Sequence, residues 1–272
     1  MTITDRPSYI IRGGQAGRER LRLLARVLWP TTRELFRRVG VREGLRCLDV
    51  GCGGGDLSLD LARLVGARGS VLGIDFDKVK IEVARKEAEE AGMANVEFCA
   101  VDVTDGELPC PAFDLIYMRF VLTHLREPQQ AVERLFGVLV PGGQMIVEDI
   151  DFSGSFSYPA SSAFAAYVDL YRRAALARGV DPDIGPRLPT MLESAGLASI
   201  EMHVVQPAAQ RGEVKLLNPV TMEAIADAAI AAGLATGTQI ERIVNELYRA
   251  ARDDTTVMSV PRIVQVWGRK TA

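Results

Sequence analysis

The feature that most constrains this chain is an alternation of strand-like and helix-like segments between residues 46 and 150. Short apolar runs at Arg46–Val50, Ser70–Asp75, Val96–Val101, Phe113–Met118 and Gln144–Ile150 predict strands. Between them lie stretches with helical spacing. Asp56–Val65 puts Leu57, Leu61 and Leu64 on one face, and Lys78–Glu90 is a charged helix closed by Gly92. Pro128–Val140 aligns Val132, Leu135, Phe136 and Leu139, and Pro141-Gly142-Gly143 is expected to end it. Strands alternating with helices of this length predict a parallel sheet covered on both faces. Right-handed crossovers make that an open, doubly wound sheet, which takes ligands at the carboxyl ends of its strands.

The flanks read differently. Residues 18–39 predict a helix interrupted near Pro30. After Asp151 the alternation stops. Phe152–Gly179 has helical character, with Phe164, Tyr167, Val168 and Tyr171 on one side, and Pro186–Ala195 predicts another helix. Strands are expected at Ile200–Val205 and Ile263–Trp267, bracketing two alanine-rich helices over residues 219–252 with a break near Gly233–Gly237. Two late strands around a helical insertion suggest a cap over a site. Tyr158, Phe164, Tyr167 and Tyr171 are candidates to line an apolar pocket there, although aromatics at this spacing equally serve a core.

Charge narrows the partners. The formal net charge of −3 disfavours a globally basic nucleic-acid binder. Yet residues 1–46 hold eleven Arg and no Lys and net +7, while the remainder nets −10. A basic arm can meet an anionic partner. Leu21, Leu24 and Leu28 at i, i+3 and i+7 also describe an amphipathic helix whose arginines face solvent. The four cysteines (Cys47, Cys52, Cys99 and Cys110) form no C-x-x-C pair, and His124 and His203 are the two histidines, so no zinc spacing exists. Cys47 and Cys99 sit in apolar strand-like runs and read as small buried hydrophobes. No apolar run approaches the ~20 residues of a membrane span, and the N-terminus has no run of signal-peptide length. A cytoplasmic protein without a membrane partner is expected. The alanine-rich late helices leave a homodimer open.

The strongest local motif is Leu48-Asp49-Val50-Gly51-Cys52-Gly53-Gly54-Gly55-Asp56, placed between a strand and a helix. Gly51 and Gly53 let a ligand approach the backbone without a Cβ in the way. A dinucleotide fingerprint, G-x-G-x-x-G, would need glycine where Asp56 stands. Asp49 and Asp56 flank the loop and suit a cationic ligand better than a pyrophosphate dianion. Asp75, 24 residues after Gly51, can accept both hydroxyls of a ribose.

This D-x-G-x-G-x-G loop followed by an acid at the end of the second strand resembles the class I S-adenosylmethionine-dependent methyltransferases. The resemblance continues through Ala100-Val101-Asp102-Val103, Phe113-Asp114-Leu115-Ile116, Val121-Leu122-Thr123-His124-Leu125 and Leu139-Val140-Pro141-Gly142-Gly143, covering about residues 46–150 in order. It is nearest to the small-molecule branch that includes ubiquinone/menaquinone-type and natural-product enzymes. Tyr9-x-x-x-Gly13-Gly14 followed by Glu19-Arg20-Leu21 also occurs in relatives of that branch.

The resemblance implies an α/β, Rossmann-like seven-stranded sheet of order 3-2-1-4-5-7-6 with the last strand antiparallel. It implies a core over residues 46–207 and 261–272 with a cap helix at about 152–180, an N-terminal helical arm over 1–45, and a helical lid over 208–260. It also implies S-adenosylmethionine as cofactor, with S-adenosylhomocysteine as product. Gly51 and Gly53 would run beside the methionine part, and Asp49 would orient its ammonium group. Asp75 would hold the ribose diol, Phe76 would lie on the adenine face, and Asp102 with the Val103 backbone would meet the adenine amino group. The backbone near Met118 and Arg119 would contact the amino-acid end, and Tyr9 would close from the arm.

Methyl transfer from a sulfonium needs a base only when the acceptor must lose a proton. His124 is a candidate because imidazole titrates near neutral pH, though it can equally be structural. Glu148, Asp149 and Asp151 follow the fifth strand, and alternation puts Asp149 and Asp151 on one face and Glu148 on the other. Asp149 is a second candidate to orient or deprotonate an acceptor, with solvated loop acids as the alternative. Arg119 and Arg172 are candidates to pair an acidic acceptor. The fourth strand ends Tyr117-Met118-Arg119-Phe120, without the acid a catechol-type metal site needs, so no metal is expected. The N/D-P-P-Y/F motif of amide- and exocyclic-nitrogen methylation is missing there too. The expected function is methyl transfer to a small organic acceptor at O, N or C. Three rivals stand beside it: an RNA methyltransferase using the basic arm, a nicotinamide-dependent dehydrogenase, and a protein of the same fold that binds the cofactor without methylating.

Overall fold

The computed structural model describes residues 14–108 and 113–271. Seven strands form one sheet: β1 (Arg46–Val50), β2 (Ser70–Asp75), β3 (Val96–Ala100), β4 (Phe113–Arg119), β5 (Leu139–Asp151), β6 (Leu197–Val205) and β7 (Arg262–Lys270). Their order is β3-β2-β1-β4-β5-β7-β6, with β7 antiparallel to both neighbours. This is the order implied by the resemblance. Asp49 of β1 stands beside Gly73 of β2 and Tyr117 of β4, so the ends of the three central strands lie level. Helices α2 (Asp56–Val65), α3 (Lys78–Glu90) and α4 (Pro128–Gly137) make the crossovers.

Three local expectations change. Helix α1 (Gly14–Val39) runs through Pro30 unbroken. Leu28, Leu35 and Phe36 are buried on both sides of the proline, and the hydroxyl of Thr31 donates to the Leu28 carbonyl at 2.9 Å. Burial of one face thus outweighs the lost backbone donor. The Pro141-Gly142-Gly143 turn does not end α4, which stops at Gly137. It forms an irregularity inside β5, where Phe113 pairs with Leu139 but Leu115 pairs with Gln144. Finally, Cys47 is buried but Cys99 is exposed, because β3 is the edge strand and every second residue faces outward.

Past β5 come α5 (Ser162–Ala177), α6 (Leu188–Ser194) and, between β6 and β7, α7 (Glu213–Ala224), α8 (Ala226–Ala231) and α9 (Gly237–Arg252). The alanine-rich region is therefore three helices, beginning earlier than the sequence suggests. Ile240, Ile243 and Leu247 of α9 pack with Phe152, Phe164, Tyr167 and Met222 in one cluster. A short ribbon of Ser157–Tyr158, Val257–Ser259 and Ala208–Ala209 ties this cap together. Lys215 is fully buried. Its ammonium donates to the carbonyls of Gln210 (3.0 Å), Asp253 (2.6 Å) and Thr256 (3.0 Å), holding the two ends of the insertion. Among the described residues, no helix is long and apolar enough to cross a membrane.

Candidate active site

A cavity of about 1560 Å3, counting its open mouth, lies over the carboxyl ends of β1, β2 and β4. The glycine loop after β1 forms its floor. The amides of Gly51 and Cys52 both donate to the Ile74 carbonyl, at 2.7 and 3.0 Å, and pin the loop to β2. Gly51 has φ of +69°, and a Cβ there would stand 2.5 Å from Cγ2 of Val121. Only glycine fits that turn.

Three of the acids that line the cavity come from the ends of β1 and β2 and from just after β3. Asp75 Oδ2 accepts from the Gly53 amide (3.1 Å) and Oδ1 from the Asp77 amide (2.9 Å), while Nζ of Lys80 stands 4.0 Å away. A carboxylate has roughly four acceptor positions, so Asp75 retains capacity for a diol. Asp49 is buried, with Ser58 donating to its Oδ2 at 2.5 Å. Burial pushes its pKa up to about 7 against the pull of that bond and of the Arg119 charge. Asp102 accepts from the amide (2.9 Å) and hydroxyl (2.7 Å) of Thr104. Phe76, Val103 and Arg119 also line the cavity. The Met118 side chain lies in the core beneath it and is not part of the lining. Tyr9 falls outside the described residues.

His124 ends a 3₁₀ turn (Leu122–His124) and lines the cavity. Burial, then the charges of Arg20 and Lys80, push its pKa down to about 3. Asp149 lies outside the lining. Its Oδ2 accepts from the Thr123 amide (3.1 Å) and Oδ1 from the Ile150 amide (2.8 Å), and burial pushes its pKa up to about 7. Glu148 and Asp151 are buried too, so none of the three acids is a solvated loop residue. Glu148 accepts from Thr32 (2.7 Å), Gln265 (2.6 Å) and the Tyr117 hydroxyl, joining α1, β4, β5 and β7 below the floor. Asp151 pairs with Arg262 at 3.1 Å.

The roof comes from distant segments. Helix α1 contributes Arg20, Leu21, Leu24, Ala25 and Leu28, α5 contributes Tyr167 and Tyr171, and α7 contributes Leu217, Asn218 and Thr221. Phe152 and Tyr171 stack with ring centroids 3.8 Å apart. Arg18 forks onto Asp56 and Glu87, fixing the start of α1 over α2 and α3. Arg22 and Arg26 pair with Glu87 (2.8 Å) and Glu213 (2.7 Å). Much of the basic arm is thus neutralised within the chain. Of the expected aromatic lining, Tyr167 and Tyr171 reach the cavity. Phe164 packs in the cap core, and Tyr158 points outward with 71% exposure. Arg172 is held by Asp183 at 2.7 Å and is not part of the lining.

Phe120, Asn218 and Thr221 are cavity residues that local motifs do not reveal, and the Glu19-Arg20-Leu21 motif does not say that Arg20 turns into the cavity. Leucine spacing finds α1, but only tertiary packing aims that helix at a cavity rather than at a filled core.

The acids and glycine backbone on the floor fit a cationic adenosyl ligand: one carboxylate per strand end, and no Cβ between loop and ligand. Comparison with known proteins agrees. The methyltransferase-domain family matches residues 42–194. The ubiquinone/menaquinone biosynthesis C-methyltransferase UbiE of Escherichia fergusonii is 30% identical over 180 residues, which cover 60% of this chain and 70% of that protein. Among solved structures, the YcgJ protein of Bacillus subtilis superposes with a TM-score of 0.58 at 17% identity, covering 88% of this chain and 97% of that one. The [4+2]-cyclase SpnF gives 0.54 at 22% identity, covering 89% and 82%. The last two share the fold. Match, order and site together place the chain in the methyltransferase-domain family, as an S-adenosylmethionine-dependent enzyme of the small-molecule type.

Proposed function

We propose that the enzyme methylates an apolar small organic acceptor held under α1, α5 and α7, and that it does so without a metal. The observation that carries this reading is one cavity with two unlike halves: acids and glycine backbone below, and above a mostly apolar and aromatic roof in which Arg20, Asn218 and Thr221 are the polar side chains. Among the described residues, no three His, Cys, Asp or Glu side chains converge as a metal site would need.

The bound cofactor supplies an electrophilic methyl carbon, and the chain supplies orientation. Asp49 meets the ammonium group, beside the backbone of Gly51 and Gly53. Asp75 takes the ribose hydroxyls. Phe76, Asp102 and Val103 frame the adenine, and Arg119 with the Met118 backbone borders the amino-acid end. An imidazole whose conjugate acid titrates near 3 is a feeble base, so His124 serves as a neutral hydrogen-bonding partner of the acceptor. Asp149 holds the turn that carries His124, through the Thr123 amide.

Calorimetric titration with S-adenosylmethionine, S-adenosylhomocysteine and NADH tests the floor. Micromolar binding of both adenosyl ligands without NADH is the expected result, and NADH binding alone would overturn the reading. An acceptor screen then compares apolar phenols, amines and carbon acids.

A further inference from the structure

Four arginines of α1 lie near one another, and one is partnered differently. Arg18, Arg22 and Arg26 each meet a carboxylate. Arg20 turns inward instead and lines the cavity. Its Nε donates to the Thr221 hydroxyl on α7 at 3.2 Å. Among the described residues, that is its one hydrogen bond, and no carboxylate stands within ion-pair distance. A guanidinium carries five N–H donors, so most of its donor capacity is directed at neither backbone nor acid.

The surroundings sharpen this. The acids that line the cavity (Asp49, Asp56, Asp75 and Asp102) come from the ends of β1 and β2, the start of α2 and the loop after β3. The roof around Arg20 is built from Leu24, Tyr167, Tyr171, Leu217 and Thr221. A half-buried cation beside apolar side chains, with a neutral partner, has no paired counter-charge among the described residues. Its field reaches Tyr167 and His124 in the same compartment. Contact with the glycine loop falls instead to Arg18, whose guanidinium lies over Gly54, and to Leu21, whose Cδ1 lies 3.3 Å from a Cβ built on Gly53.

We propose that Arg20 selects the acceptor by charge: the acceptor is an apolar molecule bearing one anionic oxygen group, which docks on the Arg20 guanidinium beside Thr221. This rests on the two-compartment reading of the cavity. The competing claimant for the guanidinium is the carboxylate of the cofactor itself, and the test separates the two.

The test uses a pair of fluorescent probes, 8-anilinonaphthalene-1-sulfonate and N-phenyl-1-naphthylamine, which share a ring system and differ by the sulfonate. They are titrated into the 272-residue chain saturated with S-adenosylhomocysteine. We expect the wild type to bind the sulfonate more tightly than the neutral probe. Arg20→Met should weaken the sulfonate by about tenfold, the loss of one charge-assisted contact. It should leave the neutral probe and S-adenosylhomocysteine unchanged, with Arg20→Lys falling between. An affinity for the sulfonate that is absent, or unmoved by Arg20→Met, overturns the proposal. A loss of S-adenosylhomocysteine affinity in Arg20→Met overturns it too, assigning the guanidinium to the cofactor. If wild type fails to bind S-adenosylhomocysteine at all, the underlying site reading falls, and this inference with it.

Discussion

The Gly53 amide donates to Oδ2 of Asp75 across 3.1 Å. The bond makes the glycine loop and the end of β2 one unit, so the acid does two tasks: it shapes the floor and leaves lone pairs for a ligand. Asp75→Ala should weaken S-adenosylmethionine binding by at least ~1.5 kcal/mol, the scale of a charge-assisted hydrogen bond. Calorimetry measures it. Unchanged affinity would remove Asp75 from the cofactor site.

Asp49 gives a pH signature. Its pKa lies near 7 in the folded protein because burial disfavours the charged form. A cationic ligand favours the carboxylate, so binding should expel a proton. Affinity for S-adenosylmethionine should therefore rise between pH 6 and 8 and level off above. Asp49→Asn should flatten the profile. Titration in buffers of different ionisation heat counts the proton directly.

His124 should show in acid stability rather than in cofactor binding. Its folded pKa is about 3, against an ordinary value of 6.5. Between those limits the unfolded chain holds a proton that the folded chain rejects. The contribution is full above about pH 6.5 and is lost as pH falls, by up to about 1.4 kcal/mol per pH unit. In urea titrations, the stability of wild type relative to His124→Asn should fall from pH 7.5 to 5.5. Affinity for S-adenosylhomocysteine should match wild type at neutral pH. A parallel fall in both proteins would show that the imidazole is not held neutral.

The Arg18 fork predicts a latch. Its side chain is 12% exposed and bridges two carboxylates on separate helices. Arg18→Met leaves Asp56 and Glu87 without that shared cation. Amide exchange in the first turns of the described part of α1 should quicken about tenfold, the effect of losing ~1.4 kcal/mol. Mass spectrometry reads this peptide by peptide. Unaltered exchange would assign the anchoring to Leu23 and Leu28 alone.

The parts legible in the sequence are those where chemistry is local. Strand β1, helix α2 and the glycine loop are consecutive, and Asp75 ends the next strand, so spacing places them. Pro30 misled because a local rule ignores the buried Leu28 and Phe36 on either side of it. Cys99 misled because an edge position depends on strand order, not on the strand itself. Arg20 and Thr221 are 201 residues apart, and nothing near either announces the other. Glu148 is similar: its three donors come from three separate elements, so its burial is invisible to alternation along β5.

Val205 and Ile263 are paired neighbours on β6 and β7. The chain therefore leaves the sheet for the 208–260 segment and returns at an adjacent point, without touching the strand ends that carry Asp49 and Asp75. Such a graft can grow, shrink or be exchanged over evolutionary time at small cost to the frame, since loop closure depends weakly on length. The part of the roof that α7 contributes is heritable separately from the floor. Descendants of this scaffold can change what they modify while keeping unaltered the pocket that supplies the group they transfer.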